Sequence, residues 1–461
     1  MKIGLLALAR STFDINYANK KLNQCKKFLE LTEHTIIGNG KLLLDDFDAS
    51  VEINSLKQEN FDFILILQVT FTDSSLVLKV ANDFDQPIGI WAFPEPRLGG
   101  RLRLNAFCGL NLASHSLGLK DFYFSWIYED PESISPANFN NVIDQQGVQT
   151  RLRAGEFNKV TSKKAKLIKE KISEFRIAKI GDHPKGFDTC KFNQKKLSEL
   201  CGIKVDEIEL NSFLTEARKI TKERIEPTFK TLQNQLSSLD KVDQAQLEMS
   251  IKLKEYLFQL RDRANYHAFA LRCWPEMFTE YGGAICGPAS IMTENKVPCA
   301  CEADVYGAVT QLILQEVSQK PVFLTDIVDI DVDDNTGVFW HCGQAPISMC
   351  EVNFKPQATI HTNRKMPLLF EFPLKEGVVT IMRISQSLGE QKMVISKGKM
   401  VKRGLPYTGT SGVVMFDRGA KQVLDDIISA GLEHHVAIAY GDHVKLLSEV
   451  ATEMKLPTLY I

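Results

Sequence analysis

Residues 299–343 read CACEADVYGAVTQLILQEVSQKPVFLTDIVDIDVDDNTGVFWHCG. An acidic pair, Glu302 and Asp304, opens an apolar run that reads as a helix. Pro321-Val322-Phe323-Leu324 follows as an apolar strand ending in Thr325-Asp326. After an acidic loop comes Trp340-His341-Cys342-Gly343. Element ends therefore deliver Glu302, Asp326 and His341. Carboxylates and an imidazole gathered in this way are the ingredients of a hard-metal site with one borderline ligand. Each acid taken singly reads as a solvated cap or loop residue, so the chemistry rests on the set. Two positions along a helix turn side chains about 200° apart, so Asp304 is not expected to share a ligand role with Glu302.

Outward from this stretch the α/β alternation continues. Met1 to Ala9, Phe61 to Leu67 and Pro87 to Ala92 are apolar strand-like runs, separated by helical spacing at Tyr17 to Leu31 and Ser74 to Ala81. That alternation predicts a doubly wound parallel sheet, whose ligands meet the carboxyl ends of strands. Arg10, Gln68, Glu95 and Arg97 would lie there. Arg101 to Leu119 reads as a helix. The composition turns polar and basic between Ala137 and Lys171, which predicts a domain boundary. A second α/β unit starts at Arg176-Ile177-Ala178-Lys179-Ile180. Past Pro346, Val378 to Ile384 and Lys392 to Ile395 read as antiparallel strands of a small barrel.

Composition narrows the class. At 461 residues the chain is too long for one ordinary core. A net charge of -2 excludes a polyanion-binding signature, so no nucleic-acid partner is expected. No run approaches the ~18 apolar residues that cross a bilayer, and the N-terminus lacks a signal peptide's cleavage pattern. Ten cysteines without an export signal predict reduced thiols in a cytoplasmic protein. Cys299-Ala300-Cys301 is not a zinc spacing.

Glu302, Asp326 and one of His434-His435 would make a two-carboxylate, one-imidazole site. That donor set favours Mn²⁺, with Mg²⁺ or Co²⁺ as alternatives. A cation there would polarise a sugar carbonyl, and a neighbouring carboxylate would carry a proton between two carbons. The outcome is aldose–ketose interconversion through an enediol.

The chain resembles the L-fucose and L-arabinose isomerase superfamily, most closely its fucose-isomerase-like members. The resemblance rests on Pro96-Arg97-Leu98-Gly99-Gly100 through His115-Ser116-Leu117-Gly118, then Cys301-Glu302-Ala303-Asp304-Val305-Tyr306-Gly307-Ala308. It continues through Phe323-Leu324-Thr325-Asp326, Trp340-His341-Cys342-Gly343 and His434-His435. Glu302 and Asp326 stand 24 positions apart, the spacing of the two metal carboxylates in fucose isomerases. The resemblance implies two Rossmann-like doubly wound parallel-sheet domains, 1–160 and 161–345, followed by a C-terminal domain containing an antiparallel β-barrel, 346–461. The middle domain would carry the carboxylates and the last the histidine. It also implies that His435 is the metal histidine, with His434 and His341 contacting substrate. His341 stands where arabinose isomerases have a further metal histidine and fucose isomerases do not. A homo-oligomer, trimeric or hexameric, is implied, in which the N-terminal domain closes over a neighbouring subunit's site with Arg10 and Gln68 touching substrate in trans. The expected substrate is a free sugar: a deoxy- or C6-modified hexose, or a pentose. An epimerase or aldolase on the same scaffold, or a non-catalytic sugar-binding protein, is the alternative.

Overall fold

The computed structural model describes residues 1–144, 151–155 and 159–461. Parts of the polar stretch expected as a boundary, 145–150 and 156–158, thus lie outside the described residues. The first sheet is parallel, in the order Thr35–Ile37, Lys2–Leu8, Phe63–Gln68, Ile88–Ala92, Ser125–Tyr128, with Leu42–Leu43 adding to the first strand. Phe63 to Leu67 are all buried, as befits a strand covered on both faces. The winding reverses between Lys2–Leu8 and Phe63–Gln68. The crevice beyond their carboxyl ends is where such a sheet takes its ligand, and it holds Arg10 and Phe71.

The second sheet is also parallel, in the order Lys204–Ile208, Arg176–Ile180, Ala268–Leu271, Cys299–Ala300. The helix Val305–Ser318 follows, buried along its whole length. It packs on the strand Ala268–Leu271 on one side and on Gly377–Ser385 and His435–Tyr440 on the other. Its apolar surface all round is what such a sandwiched helix needs.

The third sheet is large and mixed. Its path runs Gln357–Thr359, Leu369–Pro373, Thr410–Phe416, Thr336–His341, Phe323–Asp331, His435–Tyr440, Gly377–Ser385, Lys392–Val401, Thr458–Tyr460. Lys392–Val401 also pairs antiparallel with Thr410–Phe416. Among the described residues no helix is long and apolar enough to cross a membrane. All ten cysteines are free thiols.

Three expectations change here. The acidic loop after Asp326 is a hairpin: Phe323–Asp331 pairs antiparallel with Thr336–His341. Asp329 made it look like loop, yet it is buried, bound by Arg97 Nε at 2.6 Å and Tyr128 Oη at 2.7 Å. Both hairpin strands belong to the large sheet, so the boundary expected at 345 cuts through it and Asp326 is not carried by the second parallel sheet. Lastly, the helix begins at Val305, not Glu302. Asp304 is its N-cap, accepting from the Gly307 N–H at 2.8 Å, as a short carboxylate at a helix entrance should.

Candidate active site

Two neighbouring parallel strands deliver the first pair of groups. Cys299 lies opposite Phe269 and Ala300 opposite Ala270, so both strands release their chains at one place. From one comes Trp274 and from the other Glu302. Glu302 and its neighbour Ala303 have φ of +59° and +54°, a left-handed conformation costing roughly 1–3 kcal/mol at each non-glycine residue. The Asp304 N–H closes this turn on the Cys301 carbonyl at 3.0 Å. So placed, Glu302 Oε1 accepts from Trp274 Nε1 at 3.1 Å, and Oε2 meets His434 Nε2 at 3.1 Å.

The large sheet delivers the second pair by register. Asp326 lies directly across from His435, and directly opposed residues share one face. Asp326 Oδ1 is 3.6 Å from His435 Nε2, and Glu302 Oε2 is 4.0 Å from the same atom. The other ring nitrogen, Nδ1, bonds Asp304 Oδ2 at 2.9 Å. Asp304 is itself clamped by Arg383, at 2.6 and 3.1 Å. Arg383 and Asp304 are both fully enclosed, so this chain fixes the ring of His435 and leaves Nε2 directed at the two carboxylates.

The charges sort clearly. Burial works to raise the Glu302 pKa, but the hydrogen bond and charge of His434 outweigh it and hold it at about 2. Burial likewise opposes ionisation of Asp304, yet Arg383 and then His435 hold it well below the carboxylate range. Asp326 is helped less: burial raises it to about 7, His435 only partly opposing the rise and the nearby Glu302 charge adding to it. Its Oδ1 is buried and without a hydrogen-bond partner, the state of a carboxylate shaped to receive a cation or a proton. Burial, with His435 next, lowers His341 to about 3, so its ring is neutral.

Two overlapping sets could hold a metal ion: Asp326, His341 and His435, and Cys190, Glu302, His434 and His435. Within each, one ligand atom per residue lies within 4.8 Å of the others. All of them but Cys190 line one cleft, together with Trp274 and Arg364, the concave polar-and-aromatic setting in which a small molecule binds.

A folded Asp326 that keeps its proton to about pH 7, against 3.8 ordinarily, binds that proton more tightly than the unfolded chain does. Its stabilising contribution is complete at low pH and is lost as pH rises through about 7. The metal-free Asp326→Asn protein should therefore match wild type below about pH 4 and be the more stable one at pH 8, by on the order of 4 kcal/mol. Denaturant titrations in chelator at both pH values check this; a variant no more stable than wild type at pH 8 would refute it.

Of the residues anticipated from sequence, Glu302, Asp326, His341, His434, His435 and Arg10 all line the cleft. Arg10 lines the cleft of its own chain: its guanidinium bonds Asp73 at 2.6 Å and lies over Phe71 and Trp274. Gln68 does not reach the cleft. Its amide turns inward, donating to the Thr70 carbonyl at 2.7 Å and Thr72 Oγ1 at 2.9 Å. It lies fully buried against Gly109, where a Cβ would come within 2.6 Å of it. Glu95 and Arg97 are structural: Glu95 caps the Leu104 and Asn105 N–H groups, and Arg97 grips Asp329. Sequence reasoning missed Trp274, Arg364, Cys190 and Arg383. None carries a local signal, since each acts through partners distant in the chain.

Comparison with known proteins agrees along the whole chain. Residues 4–148 match the fucose/sulfoquinovose isomerase N-terminal domain, and residues 339–461 match the L-fucose isomerase C-terminal domain. The chain is 29% identical over 452 residues to the sulfoquinovose isomerase of Priestia aryabhattai, covering 98% of this chain and 97% of that one. To that of Alkalicoccus urumqiensis it is 28% identical over 461 residues, covering 99% and 98%. To that of Clostridium sp. (strain MSTE9) it is 26% identical over 460 residues, covering 99% and 98%. The chain is an aldose–ketose isomerase whose substrate is a sugar. It belongs to the fucose-isomerase-like superfamily.

Proposed function

We propose that this chain is a metal-dependent isomerase that converts sulfoquinovose, a glucose with a sulfonate in place of its 6-hydroxyl, into the matching ketose through an enediol. The observation that carries the metal-dependent reading is the convergence of Glu302 Oε2 and Asp326 Oδ1 on His435 Nε2, at 4.0 and 3.6 Å. Two carboxylates facing one imidazole repel each other unless a cation or proton lies between them. The substrate comes from the names of the relatives.

Glu302, Asp326 and His435 fit a divalent cation, and their oxygen-and-imidazole character favours Mn²⁺, with Mg²⁺ or Co²⁺ next. Burial raises the Cys190 thiol well above its ordinary pKa, so it is a protonated neighbour and a poor ligand. His341 Nδ1 accepts from the Cys342 N–H at 2.8 Å. The neutral ring therefore carries its hydrogen on Nε2 and donates into the cleft, which suits a substrate hydroxyl better than a cation. The cation, when bound, would polarise the sugar carbonyl as a Lewis acid and draw down the carboxylate pKa values.

The chain's own groups do the rest. Asp326, left ionised when the cation displaces its proton, takes the proton from C2 and returns it to C1 as a general base. Glu302 and His434, 3.1 Å apart, pass the hydroxyl proton from O2 to O1. Trp274 and His341 orient the sugar. We also read the chain as three units, two parallel α/β layers and a barrel made by the ring of pairings in the large sheet, and the family resemblance favours a homo-oligomer.

The test is ketose formation from sulfoquinovose, glucose, fucose and arabinose by chelator-treated protein, with and without Mn²⁺. Turnover that survives removal of metal would sink the metal-dependent reading; ketose from the neutral sugars alone would sink the substrate. Binding should also release protons: cation uptake at pH 6 frees nearly one from Asp326, and at pH 8 almost none. Calorimetry in buffers of different ionisation enthalpy measures that release, and equal release at both values would contradict it.

A further inference from the structure

If the cleft receives a sugar, as proposed above, one cation in it is left without a task. Arg364 lines the cleft, half-buried, on the turn between Gln357–Thr359 and Leu369–Pro373. That turn is fixed: His361 Nδ1 accepts from the Asn363 and Arg364 N–H groups at 3.2 and 3.3 Å, and the His361 carbonyl accepts from Lys365 at 2.7 Å. The Arg364 guanidinium lies 4.9 Å from the Trp274 ring centre and 5.2 Å from that of Phe278. Among the described residues it has no carboxylate in ion-pair contact. Glu276, which feels its charge, is held by Arg272 at 2.6 Å. Arg10 stands over the same indole at 5.9 Å and adds its own positive field. A half-buried guanidinium beside a second one, with aromatic walls and no acidic partner, is a charge that a ligand anion would compensate.

We propose that Arg364 is the specificity-determining residue for a sulfonate at the far end of the sugar, with Arg10 as its electrostatic support. Trp274 sets the geometry. Its Nε1 touches Glu302 while its ring carries Arg364, so a sugar with its carbonyl end at Glu302 extends its other end along the indole to the guanidinium. Charge selects the anion. Arg10 shares its charge with Asp73 at 2.6 Å, so of the two guanidinium groups only Arg364 is without a carboxylate partner among the described residues. A sulfonate is a monoanion, whereas a phosphate ester carries about -1.5 to -2 at pH 7.

The experiment compares wild type, Arg364→Ala, Arg364→Lys and the exposed neighbour Lys365→Ala on sulfoquinovose, 6-deoxyglucose and glucose 6-phosphate. The expected result is that the kcat/KM ratio of sulfonated to neutral sugar falls at least tenfold in Arg364→Ala, mainly through KM. Arg364→Lys should recover part of the ratio and Lys365→Ala keep all of it. A ratio unchanged within twofold in Arg364→Ala overturns the assignment, and a wild-type preference for the 6-phosphate overturns the choice of anion. Calorimetric titration with methanesulfonate separates this from failure of the isomerase reading. Even a protein that turns over none of the sugars must bind that probe at least tenfold more weakly as Arg364→Ala, and equal affinity refutes the subsite.

Discussion

Glu302→Gln is expected to lose at least a hundredfold in kcat, roughly 2.7 kcal/mol of transition-state stabilisation, while keeping its fold. Glutamine matches glutamate in shape and still accepts from Trp274 Nε1, now 3.1 Å from Oε1. What it lacks is charge and the capacity to carry a proton. The oxygen facing His434 becomes an amide that donates where a carboxylate accepted, and His435 Nε2, 4.0 Å away, loses one of its two anionic neighbours. In the proposed reaction both the oxygen proton transfer and one cation ligand go at once, so the loss should fall on kcat and on Mn²⁺ affinity together. Steady-state kinetics with Mn²⁺ saturation curves, beside circular dichroism, make the check. A folded variant retaining more than about a tenth of wild-type kcat, a deficit under ~1.4 kcal/mol, would mean that Glu302 neither ligates nor carries the proton.

Some of this was legible in the sequence because parallel strands advertise themselves. Phe63 to Leu67 are buried on both faces, so they appear as an unbroken apolar run, and the first two sheets follow from such runs. The hairpin 323–341 did not advertise itself. Asp326, Asp329 and Asp331 lie on one of its strands, and a local reading of acids says loop. Asp329 is tolerable there only because Arg97, 232 positions earlier, neutralises it. Glu302 and Asp326 could be paired in advance by family spacing. The left-handed turn that aims Glu302 could not be, since alanine at 303 gives no hint of a positive φ. Gln68 misled for the opposite reason: a polar residue at a strand end suggests a ligand contact, but its amide serves Thr70 and Thr72 beneath Gly109.

The other large effect concerns the histidines, which are adjacent in sequence but not equivalent. His435→Ala should weaken Mn²⁺ binding at least a hundredfold, roughly 2.7 kcal/mol, because it removes the one nitrogen that faces both carboxylates. His434→Ala should weaken it less than tenfold: that ring bonds Glu302 at 3.1 Å and its loss unseats a proposed ligand without deleting one. Asp304→Asn belongs between them, about 10–100-fold. The amide can still bond His435 Nδ1, now 2.9 Å from Asp304 Oδ2, but it no longer fixes which nitrogen carries the hydrogen. It also removes the nearer of the two counter-charges of Arg383, leaving Glu433 Oε2 at 4.0 Å, a defect bounded by the roughly 3–5 kcal/mol that breaking a buried pair costs. Stability and metal affinity should thus both fall in Asp304→Asn, whereas in His435→Ala the affinity loss dominates. Metal-binding isotherms and denaturation in chelator, run on the same three variants, separate the two quantities. If His434→Ala loses more affinity than His435→Ala, the proposed ligand is the wrong histidine, and the chain from Arg383 through Asp304 serves packing alone.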